Sequence, residues 1–131
     1  MALEGSQKLK EISYIHAEAY PSSELKHGPL ALISSAVPTI VALPNDILLD
    51  KSISSLEEIR ARQGRTIVIT NSDDNRVESL ADELVRVPDC DSTLTPLVMG
   101  IPLQFLAYHT AIALKRDIDQ PRNLAKSVTV E

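Results

Sequence analysis

A chain of 131 residues with 44% hydrophobic side chains has room for one compact domain with a real core and little room for two, and it is too rich in Leu, Ile and Val for a disordered chain. Its net charge of -5 argues against a general electrostatic grip on nucleic acid or anionic membrane, and 3% aromatic residues with no Trp supply neither a base-stacking platform nor an aromatic cage. The one cysteine, Cys90, cannot close an intramolecular disulfide and has no zinc-spaced Cys/His neighbours, which fits a reducing, cytoplasmic setting.

Residues 2–20 contain no Gly or Pro after Gly5 and are rich in helix formers, predicting a helix that ends before Pro21. The segment opens on a charged helix with no preceding strand or cap, so upstream sequence is expected to be missing. In Ser22-Ser23-Glu24-Leu25-Lys26-His27-Gly28-Pro29, either serine is a candidate cap for a short helical turn that Gly28 and Pro29 end, with His27 at its last position.

The run Thr39-Ile40-Val41-Ala42-Leu43 is apolar and partly β-branched and is closed by Pro44-Asn45-Asp46, as expected of a strand buried on both faces. A helix over residues 47–63 repeats Ile47, Leu48, Ile53, Leu56 and Ile59 and stops at Gly64, and Thr66-Ile67-Val68-Ile69-Thr70 is a second strand. Strand, helix and strand predict a parallel βαβ unit. Residues 71–75 form a polar loop, 77–83 are ambiguous between helix and strand, and Leu84-Val85-Arg86-Val87 is a short third strand stopped by Pro88.

Thr95-Pro96 reads as an N-cap followed by a first-turn proline, opening a helix to about Arg116. That helix is apolar around most of its circumference, so it is expected to be buried, at a subunit interface, and kinked near residues 98–100 by Pro102. Residues 117–131 show no periodicity. The fold class expected is α/β: a three-layer parallel sheet flanked by helices, flavodoxin-like. No secretory signal and no uninterrupted apolar run near the roughly 20 residues of a bilayer span is present, and neither a Gly-x-Gly-x-x-Gly nor a P-loop pattern occurs.

On the first helix Glu4, Lys8 and Glu11 fall at i, i+4 and i+7, one narrow stripe that continues into Ile15 and Ala19. The spacing fits a solvated face with two salt bridges, each contributing about 0.2–0.5 kcal/mol. It also fits a stripe that enters a cleft, where burial would raise the Glu11 pKa toward neutrality and make it a base while Lys8 offsets developing negative charge. His27 has the chemistry of a proton shuttle near neutral pH, whereas His16 and His109 lie in predicted helices and read as structural. Lys126 sits among Leu124, Ala125, Ser127 and Val128, a setting that favours a neutral amine for carbonyl chemistry; a solvated terminal lysine is the other reading.

Three stretches together carry a resemblance. They are Leu3-Glu4-Gly5 with Lys8-Leu9-Lys10-Glu11-Ile12-Ser13-Tyr14-Ile15-His16-Ala17-Glu18-Ala19, then Glu24-Leu25-Lys26-His27-Gly28-Pro29-Leu30-Ala31-Leu32-Ile33, and finally Asp119-Gln120-Pro121-Arg122-Asn123-Leu124-Ala125-Lys126-Ser127-Val128-Thr129-Val130-Glu131. The chain closely resembles the glucosamine-6-phosphate synthase family, the isomerising glutamine:fructose-6-phosphate amidotransferases, and matches it more loosely over 37–93.

The resemblance implies that residues 1–116 are a partial second sugar-isomerase (SIS) subdomain, lacking its first strand, and that 117–131 are the catalytic tail. It implies roles for Glu11 as the carboxylate moving a proton between the first two sugar carbons, with Lys8 and Glu4 as its supporting partners. His27 would open the sugar ring, reaching the active site of the neighbouring subunit, so a homodimer is implied. Lys126 would form a Schiff base with the open-chain ketose, with Ala125 contacting sugar through its backbone. The chemistry implied uses no metal or redox cofactor.

The family's glutaminase domain and its first SIS subdomain, whose Ser/Thr-rich loop grips the sugar phosphate, are unmatched in this chain. It is therefore expected to be part of the enzyme and inactive alone. Two other readings stay open: a non-catalytic SIS module that senses phosphosugars and regulates a partner, and a structural domain whose ionisable residues are incidental.

Overall fold

The computed structural model describes residues 1–122. The chain runs through α1 (Ala2–Ser13), two short 3-10 helices (Ser22–His27 and Pro29–Leu32), β1 (Thr39–Leu43), α2 (Leu49–Ala61), β2 (Thr66–Thr70), α3 (Asn75–Leu80), β3 (Glu83–Arg86) and α4 (Thr95–Ala113). The three strands lie side by side in chain order and are all parallel, Thr39 pairing with Thr66 and Leu43 with Thr70, then Ile67 with Glu83 and Thr70 with Arg86.

Successive side chains of a strand turn to opposite faces, and this alternation makes two cores. Val41, Leu43, Val68 and Leu84 pack against Ile53 and Leu56 of α2 and Val77 of α3. Ile40 and Ile69 pack on the other face against Met99 and Leu103 of α4. The result is the expected three-layer α/β arrangement. The ambiguous segment 77–83 divides into the end of α3 and the start of β3, and α3 is capped by Asp74, whose carboxylate accepts the Arg76 N–H at 2.8 Å.

Several element ends differ from the sequence-based expectation for identifiable reasons. The first helix stops at Ser13, well short of residue 20, because the buried Ser13 hydroxyl donates to the Leu9 carbonyl (2.6 Å) and accepts the Ile15 N–H (3.2 Å), and Tyr14 turns left-handed at φ 65°. Ile15 and Ala19 therefore do not continue the stripe, and His16 lies outside the helix, paired with Glu18 at 3.4 Å. Neither Ser22 nor Ser23 caps the next turn, whose flanking residue is Pro21, while Gly28 ends it at φ 144°. Helix α2 begins only after the Asp46 carboxylate accepts the Leu48 N–H at 2.7 Å, leaving Ile47 fully exposed outside the core.

At the end of α2 the left-handed residue is Gln63, not Gly64. The N–H of Gly64 donates to the Ile59 carbonyl (3.1 Å) and that of Gln63 to the Arg60 carbonyl (2.9 Å), a Schellman closure. Gly64 is required for space: a Cβ there would lie 2.6 Å from methyl carbons of Ile33 and Ile59 and 3.0 Å from the Ile59 carbonyl oxygen. Gly64→Ala is expected to destabilise the domain by about 1–3 kcal/mol through overpacking, read as a lower midpoint of denaturation.

Helix α4 starts with Thr95 as its first helical residue, Leu94 being the cap, and continues through Pro102 to Ala113. Lys115, left-handed at φ 55°, ends it with the Arg116 N–H donating to the Ala111 carbonyl at 2.9 Å. By length and composition the helix reaches the lower bound for crossing a bilayer. Only the stripe Met99, Leu103, Ala107 and Ala111 is buried, packed on α1 and the sheet, while Leu97, Ile101, Phe105, Tyr108 and Ile112 are exposed along the opposite side. Burial around the whole circumference, as its composition led us to expect, is not what this chain achieves by itself.

The approach of α1 to α4 depends on Gly5, which is buried and whose position would place a Cβ 3.1 Å from the Leu103 side chain. That contact fixes which side of α1 turns away from α4.

Candidate active site

The i, i+3 and i+4 spacings of α1 place Glu4, Lys8 and Glu11 together, as the sequence pattern predicts. Lys8 Nζ lies 3.0 Å from Glu11 Oε2 and 3.8 Å from Glu4 Oε1. The other Glu11 oxygen, Oε1, accepts from the Gln7 side-chain amide at 3.1 Å. Gln7 was not singled out in the sequence, although its i, i+4 relation to Glu11 is the signal that would have found it.

The Glu11 side chain is about a quarter exposed (24%) and that of Lys8 a third (34%), so the pair is neither enclosed nor freely solvated in this chain. The hydrogen bond to Glu11 above all, opposed by burial and helped by the charges of Glu11 and Glu4, holds the Lys8 ammonium above its ordinary pKa.

Beyond Glu11, Tyr14 closes α1 and meets the far end of the described chain. Its hydroxyl accepts the Arg122 backbone N–H at 2.9 Å, and the Arg122 guanidinium lies 4.0 Å over its ring, with that of Arg116 at 5.2 Å. The chain turns back toward α1 after α4 because the Asp117 carboxylate accepts the N–H groups of Asp119 (3.0 Å) and Gln120 (2.9 Å).

His27 is placed elsewhere. It ends the first 3-10 helix, which packs on the second and on α2, and its side chain is exposed. Among the described residues no hydrogen bond or ion pair joins it to Glu4, Lys8 or Glu11. His109 stays within α4, its ring against those of Phe105 and Tyr108. Lys126 and Ala125 lie outside the described residues.

A shallow cavity of about 200 Å³ opens where β1 and β2 end, lined by Asn45, Asn71, Asp89, Cys90 and Thr95 among others. Open parallel sheets commonly take ligands at this edge. Its polar groups are engaged with one another, Asn71 accepting the Asn45 N–H (2.8 Å) and donating to Asp89 (3.0 Å). Its ionisable side chains are acidic, which suits no phosphate.

The model of the SIS domain family matches residues 1–114. Glutamine–fructose-6-phosphate aminotransferases (isomerizing) of Legionella pneumophila and Thermus thermophilus are 58% and 52% identical to the chain over 131 and 130 residues. Those alignments cover 100% and 99% of this chain but 22% of each relative, so the chain spans about a fifth of the length of the curated relatives it matches. The C-terminal domain of the glucosamine-fructose-6-phosphate aminotransferase from Francisella tularensis superposes with a TM-score of 0.80 at 47% identity, covering 90% of this chain and 33% of that one. The parallel sheet between two helical layers, together with a family match that runs from α1 to the end of α4, establishes that the chain belongs to the SIS domain family.

Proposed function

We propose that this chain is the C-terminal part of the isomerase domain of a cytoplasmic, homodimeric glutamine–fructose-6-phosphate aminotransferase, acting on fructose-6-phosphate with glutamine-derived ammonia. The observation that carries the reading is the Glu11 carboxylate held at both oxygens, by Lys8 and by Gln7, in a chain 58% identical to such an enzyme over 131 residues.

In the open-chain ketose the Lys126 amine attacks C2, a C=N bond forms and the carbonyl oxygen leaves as water. Ammonia then replaces the lysine nitrogen at C2 and frees Lys126. Glu11 takes a proton from C1, the electron pair forms an enamine between C1 and C2, and return of a proton to C2 with loss of the C1 hydroxyl proton leaves an aldehyde at C1 and an amine at C2. The carbonyl has moved by one carbon without any external oxidant or reductant. Lys8 offsets negative charge as it develops, Glu4 supports Lys8, Ala125 contacts the sugar through its backbone, and His27 opens the ring of sugar bound to the neighbouring subunit.

The phosphate grip and the ammonia source belong to the rest of the synthase chain, so this segment alone is inactive: without the grip, the binding energy that orients the sugar is lost. The test replaces the amine in the full-length enzyme. Lys126→Arg is expected to abolish the borohydride-trapped fructose-6-phosphate adduct and to reduce glucosamine-6-phosphate synthesis by at least about 100-fold. Undiminished synthesis in that variant would show that the tail lysine is not the nucleophile.

A further inference from the structure

Asp, Glu, Lys and Arg make up 24% of the chain, yet residues 92–114, which include all of α4, contain none of them. On the open side of that helix Leu97, Ile101, Phe105, Tyr108 and Ile112 recur every three or four residues, an apolar stripe in which Leu97 is 69% and Phe105 57% exposed. At its midpoint Gln104, Phe105 and Tyr108 line a shallow cleft of about 240 Å³. The His109 ring, 6.0 Å from that of Phe105 and 5.2 Å from that of Tyr108, holds both aromatic side chains in place. Gly100 adds a separate sign. Unlike Gly5 and Gly64, it has nothing within 4 Å of where its Cβ would lie, so no contact inside this chain requires a residue that weakens a helix relative to Ala. Close approach by an element from outside the chain does require it.

We propose that the open face of α4 is the docking surface for the rest of the same synthase chain, which meets it with an uncharged, apolar face of its own. This rests on the reading of the chain as part of a longer synthase. The matched C-terminal domain from Francisella tularensis is more than twice as long as this chain, which covers 33% of it, so an intrachain occupant is at hand.

Area and position favour that occupant over a second copy. The five exposed side chains offer roughly 500 Å² of surface. Two copies meeting through this face alone would bury about 1,000 Å², the lower bound of a specific interface and well short of the roughly 2,000 Å² or more of a permanent homodimer. Between domains of one chain, where the covalent link keeps the effective concentration high, an interface of about 600–1,500 Å² is ordinary. The first 3-10 helix, which carries His27 and where the functional reading places the neighbouring subunit, packs on α2, across the sheet from α4. A bilayer is a poorer occupant still, because Met99, Leu103, Ala107 and Ala111 on the other side of the helix are already buried, packed on α1 and the sheet.

The experiment uses the full-length synthase with a photoreactive p-benzoylphenylalanine replacing Phe105, irradiated and mapped by denaturing electrophoresis and mass spectrometry. The expected product keeps the mass of one chain and joins position 105 to a peptide outside these 131 residues. A product of twice that mass, whether joined through a second α4 or through any other segment of the neighbouring subunit, would overturn the proposal. So would the absence of any protein adduct. Phe105→Asp supplies the second measurement: a carboxylate forced into a covered apolar face is expected to lower the melting temperature of the full-length enzyme by about 5 °C or more. A change within about 1 °C would mean that the face stays in water and would sink the proposal. If Phe105→Asp does not fold, the photochemical result decides alone. A parent without synthase activity would end the functional reading but leave both readouts unchanged, so the two fail separately.

Discussion

Glu11→Gln in the full-length synthase is expected to lower kcat for glucosamine-6-phosphate formation by about 10²- to 10⁴-fold, the usual contribution of a general base, with KM for fructose-6-phosphate little changed. The amide is nearly the same size as the carboxylate and its one oxygen can still accept from Lys8 Nζ, which lies 3.0 Å from Glu11 Oε2, while its NH2 group donates to Gln7 once that side-chain amide turns its oxygen inward. What it cannot do is take the C1 proton. Exchange of that proton with solvent should therefore disappear together with turnover, while the Schiff-base adduct at Lys126 still forms. Unimpaired proton exchange in Glu11→Gln would remove Glu11 from the mechanism and favour the view that its ion pair is an ordinary surface feature.

Leu103→Ala is expected to destabilise the domain by about 2–5 kcal/mol, the range for emptying a buried leucine site. That is a large part of the roughly 5–15 kcal/mol that holds most domains together. Leu103 is only 5% exposed, joins Met99 and Ile69 under the sheet, and lies against the bare backbone of Gly5. It is thus the residue on which α1 rests, and α1 carries Glu4, Lys8 and Glu11. The loss should appear as a lower denaturation midpoint and also as a reduced kcat in the folded enzyme, because the carboxylate stripe is then less firmly placed. Ile101→Ala, on the exposed side of the same helix, serves as the comparison. It should change the stability of the isolated domain by no more than about 0.5 kcal/mol. Equal effects from the two substitutions would mean that α4 is not held by the stripe assigned to it.

The strands were legible because short apolar runs bounded by Pro, Asn and Gly admit few other readings, and β1 and β2 fall where those runs lie. The Glu4, Lys8 and Glu11 cluster was legible for a similar reason: helical periodicity alone brings these three together, and their ion pairs need no other element. The extent of α1 was not legible. Residues 15–20 have ordinary helix-compatible chemistry, and the helix ends where a buried serine hydroxyl competes for the backbone and a tyrosine turns left-handed. Both depend on packing around Ser13 and Tyr14 that no local window contains. Composition likewise described α4 as apolar all round, but could not say which stripe α1 and the sheet would cover and which would be left open.

By itself, then, the sequence determined the alternation of strands and helices, the parallel α/β class and the carboxylate–lysine stripe, all of which follow from local periodicity and the order of the elements along the chain. Only the tertiary structure decided that a Cβ at Gly5 would press on Leu103, that one at Gly64 would collide with Ile33 and Ile59, and that Arg122 returns to stack on Tyr14. The first two are matters of close approach between packed elements, and the third is a contact between residues 108 positions apart. Each is set by how the layers pack, and periodicity along the sequence carries no record of it.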